Sequence, residues 1–168
     1  MKKTFAILGS ALILCAFLMT SCGNQKAQVT VHDGEIQWPT MFYNVMVGLS
    51  EDGTPGLWCP IIQSQVGNSS RTMSFTVMTC EPGTYSGVYD AATQKWSNPA
   101  ITNVRLNVDY DGVPYPTWHG QSATVTIHRF NKRTKRIDAT LDAVVVKDGT
   151  TETRNVKVEV TNLDVSGR

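Results

Sequence analysis

Residues 122–165 read SATVTIHRFNKRTKRIDATLDAVVVKDGTTETRNVKVEVTNLDV, and three segments of this stretch alternate apolar with polar side chains. The segments are residues 122–130, 136–146 and 154–165, and a short polar turn separates each from the next. A period of two places one face of a strand against a core and the other in water, as in antiparallel sheets. The stretch therefore predicts a three-stranded antiparallel β-meander.

The last of these segments contains a break in its alternation. Val156, Val158 and Val160 are spaced by two, but the next apolar residue is Leu163. A slip of one residue would turn the rest of the strand to the other face, and one extra residue in the strand corrects this. We therefore expect a β-bulge near residues 161–162.

The remaining sequence has the same strand-like character. Thr and Val are frequent, and no window of a dozen residues shows helical spacing. Asp-Gly pairs suited to hairpins and loop corners occur at residues 33–34, 52–53, 111–112 and 148–149. Further strands are predicted at residues 36–38, 41–49, 57–66, 71–78, 84–89 and 101–108. The predicted fold class is all-β, a single antiparallel β-sandwich-like domain, with a partly closed β-barrel as the alternative.

The first twenty-two residues have the features of an export signal. Lys2 and Lys3 precede an apolar run over residues 5–19, which is shorter than the about 20 residues that span a bilayer. Residues 18–22, LMTSC, resemble the bacterial lipoprotein box, in which a small residue precedes a lipidated cysteine. The resemblance implies acylation of Cys22. It divides the chain into a signal peptide (1–21), a lipidated cysteine with a tether (22–28) and a β-domain (29–168).

The charge bears on possible partners, and the cysteine content bears on a disulfide. Removal of residues 1–21 takes away two lysines and no acidic residue, so the formal net charge changes from +1 to −1. This balance gives no indication of a nucleic-acid partner. In the expected export, the domain reaches an oxidising compartment. Cys15 would leave with the signal peptide, and Cys22 would carry the lipid. Cys59 and Cys80 remain, and we expect them to form a disulfide.

Further features resemble a loose group of small, uncharacterised Bacteroidetes lipoproteins. They are a mid-chain element at residues 83–85 (GTY) with residues 87–89 (GVY), and the closing meander. The resemblance implies a β-rich exported fold and no established chemistry. The tether lacks the acidic cluster that resembles a surface-export signal. The expected location is therefore the outer membrane with the domain in the periplasm, and surface exposure is the alternative.

Two sets of residues are candidates for binding. Tyr110, Tyr115 and Trp118 cluster in a Pro-rich connection over residues 110–119. They are expected either to stack on a glycan or small ligand or to cap the core. The second set consists of cationic residues, which are expected to form either a solvated hairpin tip or a contact for anionic lipid headgroups. It comprises Arg129, Lys132, Arg133, Lys135 and Arg136.

The sequence contains no nucleophile–base, metal-ligand or phosphate-loop pattern, so no catalytic residue, metal or cofactor is expected. The expected function is that of a non-enzymatic envelope lipoprotein that is held in the membrane by its lipid. Such a protein would bind a protein partner or have a structural role. The alternative is a lipoprotein that binds a glycan or small ligand through the aromatic connection.

Overall fold

The computed structural model of the protein describes residues 26–39, 41–51, 53, 55–66, 69–110 and 117–167, with the backbone alone at residues 41, 66, 109 and 110. Cys22 and the predicted signal peptide lie outside this part, so the lipid attachment stays a prediction. No apolar helix long enough to cross a membrane occurs among the described residues. These residues form eleven strands: β1 (Gln28–Asp33), β2 (Ile36–Gln37), β3 (Met41–Leu49), β4 (Pro55–Val66), β5 (Ser69–Val77), β6 (Gly83–Asp90), β7 (Lys95–Trp96), β8 (Ile101–Tyr110), β9 (Trp118–Asn131), β10 (Arg136–Lys147) and β11 (Thr153–Asp164).

The strands pair antiparallel in the order β2-β1-β11-β10-β9-β8-β5-β4-β3. β9 has two neighbours along one side. Its first residues pair with β8, and its later residues pair with β6. β6 also pairs with β7. The sheet curls into a half-barrel around the core. The prediction of an all-β antiparallel domain is confirmed. The single curled sheet is closer to the partly closed barrel than to two separate sheets.

The predicted C-terminal meander is confirmed as β9, β10 and β11. Val125, Leu141 and Val158 lie opposite one another across the three strands, and all three are buried. Each side chain of this size contributes about 1.5–3 kcal/mol when it is fully buried. The alternation in the sequence therefore corresponds to the inner and outer faces of the curled sheet.

The expected bulge in β11 is also present. The register shifts between Ile137 and Ala139 of β10, where β11 contains one additional residue. Asn162 lies at this shift with a φ of 56°, in a region that non-glycine residues rarely adopt. Its backbone N–H donates to Asp138 Oδ1 at 2.7 Å, so the displaced amide keeps a hydrogen-bond partner.

The inner face of the curled sheet forms the core. Trp58 and Phe75 are among its largest buried side chains, and their rings meet edge to face with centroids 5.5 Å apart. Trp58 Nε1 donates to the backbone oxygen of Thr79 at 2.8 Å. The only polar atom of this indole is therefore satisfied within the core.

The predicted disulfide between Cys59 and Cys80 is not formed, and both cysteines are free and buried. Cys80 belongs to the core cluster together with Trp58. Cys59 directly follows Trp58 in β4, and successive side chains of a strand point to opposite faces. The two thiols therefore lie on different sides of the sheet. Burial raises the pKa of the Cys80 thiol to about 11, which keeps it protonated and unreactive.

The two edges of the curled sheet approach each other, and the described residues form no strand pair across the gap. Tyr43 of the edge strand β3 and residues 27–30 at the start of β1 line a groove of about 380 Å³. Phe42 and Met46 on β3 are 71% and 54% exposed. The half-barrel is therefore split along the line between β1 and β3.

The strands run between two ends of the half-barrel. At the N-terminal end, β1 begins, β11 ends, and the turn over residues 132–135 joins β9 to β10. At the distal end, β9 begins opposite the last residue of β10, with Trp118 facing Lys147. The turn of the β6–β7 hairpin, residues 91–94, lies toward the distal end.

Candidate functional site

A cleft lies at the distal end beside the β6–β7 hairpin. It consists of two adjoining concavities of about 360 Å³ and 230 Å³. They share four lining side chains: Tyr89, Gln94, Arg105 and His119. The larger concavity also reaches Asp148, and the smaller one reaches Trp96. Aromatic, cationic and carboxylate groups therefore converge in one recess, as in many ligand sites.

The β6–β7 hairpin positions the aromatic pair of the cleft. Asp90 Oδ1 accepts a hydrogen bond from the Ala92 N–H at 2.9 Å, and Oδ2 accepts one from the Thr93 hydroxyl at 2.8 Å. These bonds, the one from Thr93 above all, hold the pKa of Asp90 below its ordinary value. The turn that they fix brings Tyr89 opposite Trp96, with ring centroids 5.8 Å apart.

Two glycines allow Trp96 to lie against neighbouring strands. A Cβ atom at Gly120 would lie 2.8 Å from the indole of Trp96 and 2.7 Å from Cβ of Val104. A Cβ atom at Gly87 would lie 3.3 Å from the same indole. Both positions are too close for a side chain without displacement of the ring. The half-buried indole therefore packs on bare backbone, and part of it lines the cleft.

His119 and Asp148 are in contact at one side of the cleft. His119 Nδ1 lies 2.6 Å from Asp148 Oδ1, and the Asp148 N–H donates to the Thr117 oxygen at 3.0 Å. In the tautomer whose Nδ1–H donates to the carboxylate, Nε2 is the nitrogen that can accept a hydrogen bond. The two side chains are 40% and 53% exposed, so solvent screens their attraction. The Tyr89 ring lies edge-on to the imidazole at 6.0 Å between centroids.

Arg105 is the free cation of the cleft. It lies opposite His119 in the short β8–β9 pair and is exposed. Its guanidinium has no hydrogen bond or ion pair with a described residue. A guanidinium carries five N–H donors in a planar fork that matches a carboxylate or phosphate. The cleft therefore presents one positive charge and several unused donors.

A larger concavity of about 550 Å³ crosses the outer face of the sheet. A row of polar side chains lies in register along it: Ser86, Thr124, Asp142, Lys157 and His32. Several of these side chains already have partners. The hydroxyls of Ser86 and Thr124 are 3.0 Å apart, and Lys157 Nζ lies 2.7 Å from Oε1 of the neighbouring Glu159. None of the described residues that line this trough is a Trp, Tyr or Phe. The smaller cleft offers the more varied binding chemistry and is the stronger candidate.

The five cations predicted at residues 129–136 differ in their pairing. Arg129 Nε donates to Asp138 Oδ2 at 2.9 Å, and Arg136 Nη2 lies 3.3 Å from Asp164 Oδ2. Lys132, at the exposed turn, makes no ion pair with a described residue, and the same holds for its neighbour at position 133. The two alternatives for this hairpin, a solvated tip and a lipid contact, stay predictions.

The structure describes the side chain of only one of the three residues that were predicted to bind a ligand. Trp118 is 2% exposed and packs in the core, with the Arg154 guanidinium 4.4 Å from its ring centroid. Its indole is therefore part of the core, and the expectation that it stacks on a ligand is corrected. Tyr115 and the side chain of Tyr110 lie outside the described residues, so their predicted role stays a prediction.

The residues that form the cleft were not predicted from the sequence. His119 follows Trp118 directly, and alternation along a strand places the two on opposite faces. The register of β9 shifts between Gly120 and Ser122, so alternation extended from the buried residues of the later strand would assign the two faces the wrong way round. Asp148 belongs to a predicted turn, but it meets His119 across 29 positions of the chain. Nothing in the local sequence indicates such a long-range contact.

No group of three or more His, Cys, Asp or Glu side chains in the described part of the chain is placed to hold a metal ion. Comparison with known proteins finds no matching protein family, no matching curated protein and no matching solved structure. Function is therefore inferred from the chemistry of the cleft and from the sequence.

Proposed function

We propose that the protein is an exported, lipid-anchored binding protein without catalytic activity. Its distal cleft takes a small polar ligand that has a ring and an anionic group, such as an acidic saccharide. The observation that carries this proposal is the unpaired Arg105 beside the Tyr89–Trp96 aromatic pair. The sequence supports the anchor at Cys22 and a location at the outer membrane with the domain in the periplasm.

The aromatic pair supports recognition of a ring. Tyr89 and Trp96 are held by the Asp90 turn, so their faces are ordered before a ligand arrives. Ordered side chains lose little conformational entropy on binding. Aromatic faces attract the apolar faces of rings that also carry polar groups. The two concavities have volumes suited to one or two such rings.

Arg105 supports recognition of an anion. A carboxylate on the ligand can accept two parallel hydrogen bonds from the guanidinium fork. His119 Nε2 is available as a further partner for a ligand hydroxyl, because Nδ1 is held by Asp148. The cleft therefore combines a stacking surface, a site for negative charge and an acceptor nitrogen within one recess.

The test is calorimetric titration of the purified lipoprotein in detergent with glucuronic acid and with glucose. Glucuronate is expected to bind more tightly, because only glucuronate offers a carboxylate to Arg105. Arg105→Ala should weaken glucuronate binding about tenfold or more, since a hydrogen bond to a charged group is worth about 1.5–3 kcal/mol. Tyr89→Ala should weaken the binding of both sugars.

Two matched variants serve as controls for this titration. Tyr43→Ala removes a tyrosine that is 42% exposed on β3, and Arg133→Ala removes an exposed arginine of the β9–β10 turn. Neither residue lines the cleft. Both variants should bind the sugars as the unchanged protein does. Failure to bind either sugar, or an equal loss in the controls, contradicts the proposal.

A second candidate function is hydrolysis, which the His119–Asp148 contact favours. A carboxylate on Nδ1 orients an imidazole so that Nε2 can act as a general base. A hydrolase would release p-nitrophenol from p-nitrophenyl glycosides or esters, and His119→Ala would abolish the release. A binding protein gives no release in either form, so this assay separates the two candidates.

A further inference from the structure

We propose that a second site, inside the distal mouth of the half-barrel, binds an oxyanion through Arg71 and Arg154. The oxyanion is either a free phosphate or carboxylate or the anionic group of a larger ligand. This site lies on the inner face of the sheet, whereas the cleft lies on the outer face. The inference therefore goes beyond the proposed function and does not depend on it.

Both arginines are directed to the interior by strand alternation. Arg71 is in phase with the buried Met73 of β5, and Arg154 is in phase with the buried Val156 of β11. Asp33, at the distal end of β1, meets both of them. Arg154 Nη1 donates to Asp33 Oδ2 at 3.2 Å, and Arg71 Nη1 lies 3.8 Å from the same oxygen.

The cluster carries more positive than negative charge. Two guanidiniums face the single carboxylate of Asp33, and the side chains of Arg71 and Asp33 are only 17% and 3% exposed. Water therefore reaches Arg71 much less than it reaches Arg154, and a buried charge without a full partner is unfavourable. A second anion would neutralise it. Arg154 is 38% exposed and lies over Trp118, so an ion can approach from that side.

Three buried polar atoms add hydrogen-bonding capacity without a partner among the described residues: Trp38 Nε1, Ser64 Oγ and Arg71 Nε. Ser64 lies directly opposite Arg71 in the β4–β5 pair. Trp38 lies beside β1, where its backbone N–H donates to the Val31 oxygen at 2.9 Å. A buried donor left unsatisfied is costly, and an oxyanion offers several acceptor oxygens to such donors.

The test compares thermal unfolding of the purified lipoprotein in sodium phosphate, sodium acetate and sodium chloride at equal ionic strength. A ligand that binds only the folded state raises the unfolding temperature as its concentration rises. Phosphate and acetate are expected to do so relative to chloride. A response to phosphate alone assigns the site to phosphate groups, and a response to both assigns it to oxyanions in general. Calorimetry of Arg105→Ala, in which the outer cleft lacks its cation, should then give one phosphate per chain.

Substitutions locate the bound anion. Arg71→Lys keeps the positive charge but removes Nε and the planar fork, so the phosphate dissociation constant should rise at least tenfold. Arg133→Lys makes the same change at the exposed β9–β10 turn, is the matched control and should leave the constant unaltered. Trp38→Phe removes the indole N–H together with part of the ring system and should also weaken phosphate binding, which provides a second measure if Arg71→Lys does not fold.

Three results would each overturn the assignment. The first is a stability that does not distinguish phosphate and acetate from chloride. The second is an unchanged phosphate affinity in both Arg71→Lys and Trp38→Phe. The third is a loss of phosphate binding in Arg105→Ala, which would place the anion in the outer cleft. A phosphate response that persists while glucuronate fails to bind would remove the proposed function and leave this site standing.

Discussion

At the scale of single residues, the cleft depends on the absence of a side chain at Gly120. The indole of Trp96 occupies the space where a Cβ atom would be, and Cβ of Val104 closes it from the other side. Neither neighbour can move far, because Trp96 is held in the β6–β7 hairpin and Val104 is buried in β8. The position of the aromatic surface is therefore set by a residue that has no side chain of its own.

Gly120→Ala is expected to displace Trp96 and to destabilise the domain by about 1–3 kcal/mol, the usual cost of overpacking. Binding to the cleft should weaken in the same variant. Urea unfolding followed by tryptophan fluorescence measures the first effect, and titration with glucuronate measures the second. Ser122→Ala, two positions along β9, is the control and should change stability by less than about 0.5 kcal/mol. A stable Gly120→Ala protein with unchanged binding would show that Trp96 is not fixed in this way.

At the scale of secondary-structure elements, the bulge couples the β9–β10 hairpin to β11. Asp138 joins the two, because Oδ1 accepts the amide of Asn162 and Oδ2 accepts Nε of Arg129. The side chain of Asp138 is 20% exposed, so these bonds are only partly screened by water. One carboxylate therefore holds the displaced residue of β11 and the end of β9 at the same time.

Asp138→Ala should lower the free energy of unfolding by about 1–3 kcal/mol, because a backbone amide and a guanidinium lose their acceptor together. The measurement is urea unfolding of both proteins under the same conditions. Asp142→Ala on the same strand is the matched control, since the Asp142 carboxylate accepts no hydrogen bond from a described residue. Equal destabilisation by the two substitutions would argue against a particular role for Asp138 at the bulge.

The elements also show which parts of the fold the sequence can predict. β9, β10, β11 and the bulge follow from alternation within one continuous stretch, where each strand pairs with the next. β1 was not predicted as a strand, because its partner β11 lies at the other end of the chain. The two-residue strand β7 forms through the Asp90 turn, and residues as short as these carry no periodic signal.

The candidate site was less predictable than the fold, for the same physical reason. Tyr89, Arg105, His119 and Asp148 belong to four separate segments that meet only when distant strands pair. The sequence did indicate an aromatic cluster near residue 118, but it could not distinguish the inward Trp118 from the outward His119 without the phase of β9. The inner pair of arginines was missed because a charged residue inside a strand pattern usually marks the wet face.

At the scale of the whole molecule, the first strand begins at the end of the half-barrel opposite the cleft. The chain enters β1 at the N-terminal end, and the cleft is built where β9 begins and β10 ends. β10 has twelve residues, which span about 40 Å at about 3.3 Å per residue. In a lipid-anchored protein with this arrangement, the cleft faces away from the bilayer, toward soluble or wall-bound ligands.

Cys22→Ala should abolish lipid attachment, because the thiol is the predicted acceptor of the lipid. Growth of expressing cells with an alkyne analogue of palmitate, followed by fluorescent tagging of the purified protein, measures the acyl chains. The control for loss of a cysteine elsewhere is Cys59→Ala. It should carry the tag, as the unchanged protein does. A Cys22→Ala protein that is tagged to the same extent would rule out the predicted anchor.

The split between β1 and β3 leaves the half-barrel open along one side, so its strands do not form a closed ring. Its two edges can move apart at the cost of side-chain contacts alone, because the described residues place no backbone ladder across the gap. β9 lies in the middle of the sheet order, as far from both edges as a strand can be. Separation of the two edges would therefore break none of the ladders of β9, the central strand that carries part of the cleft.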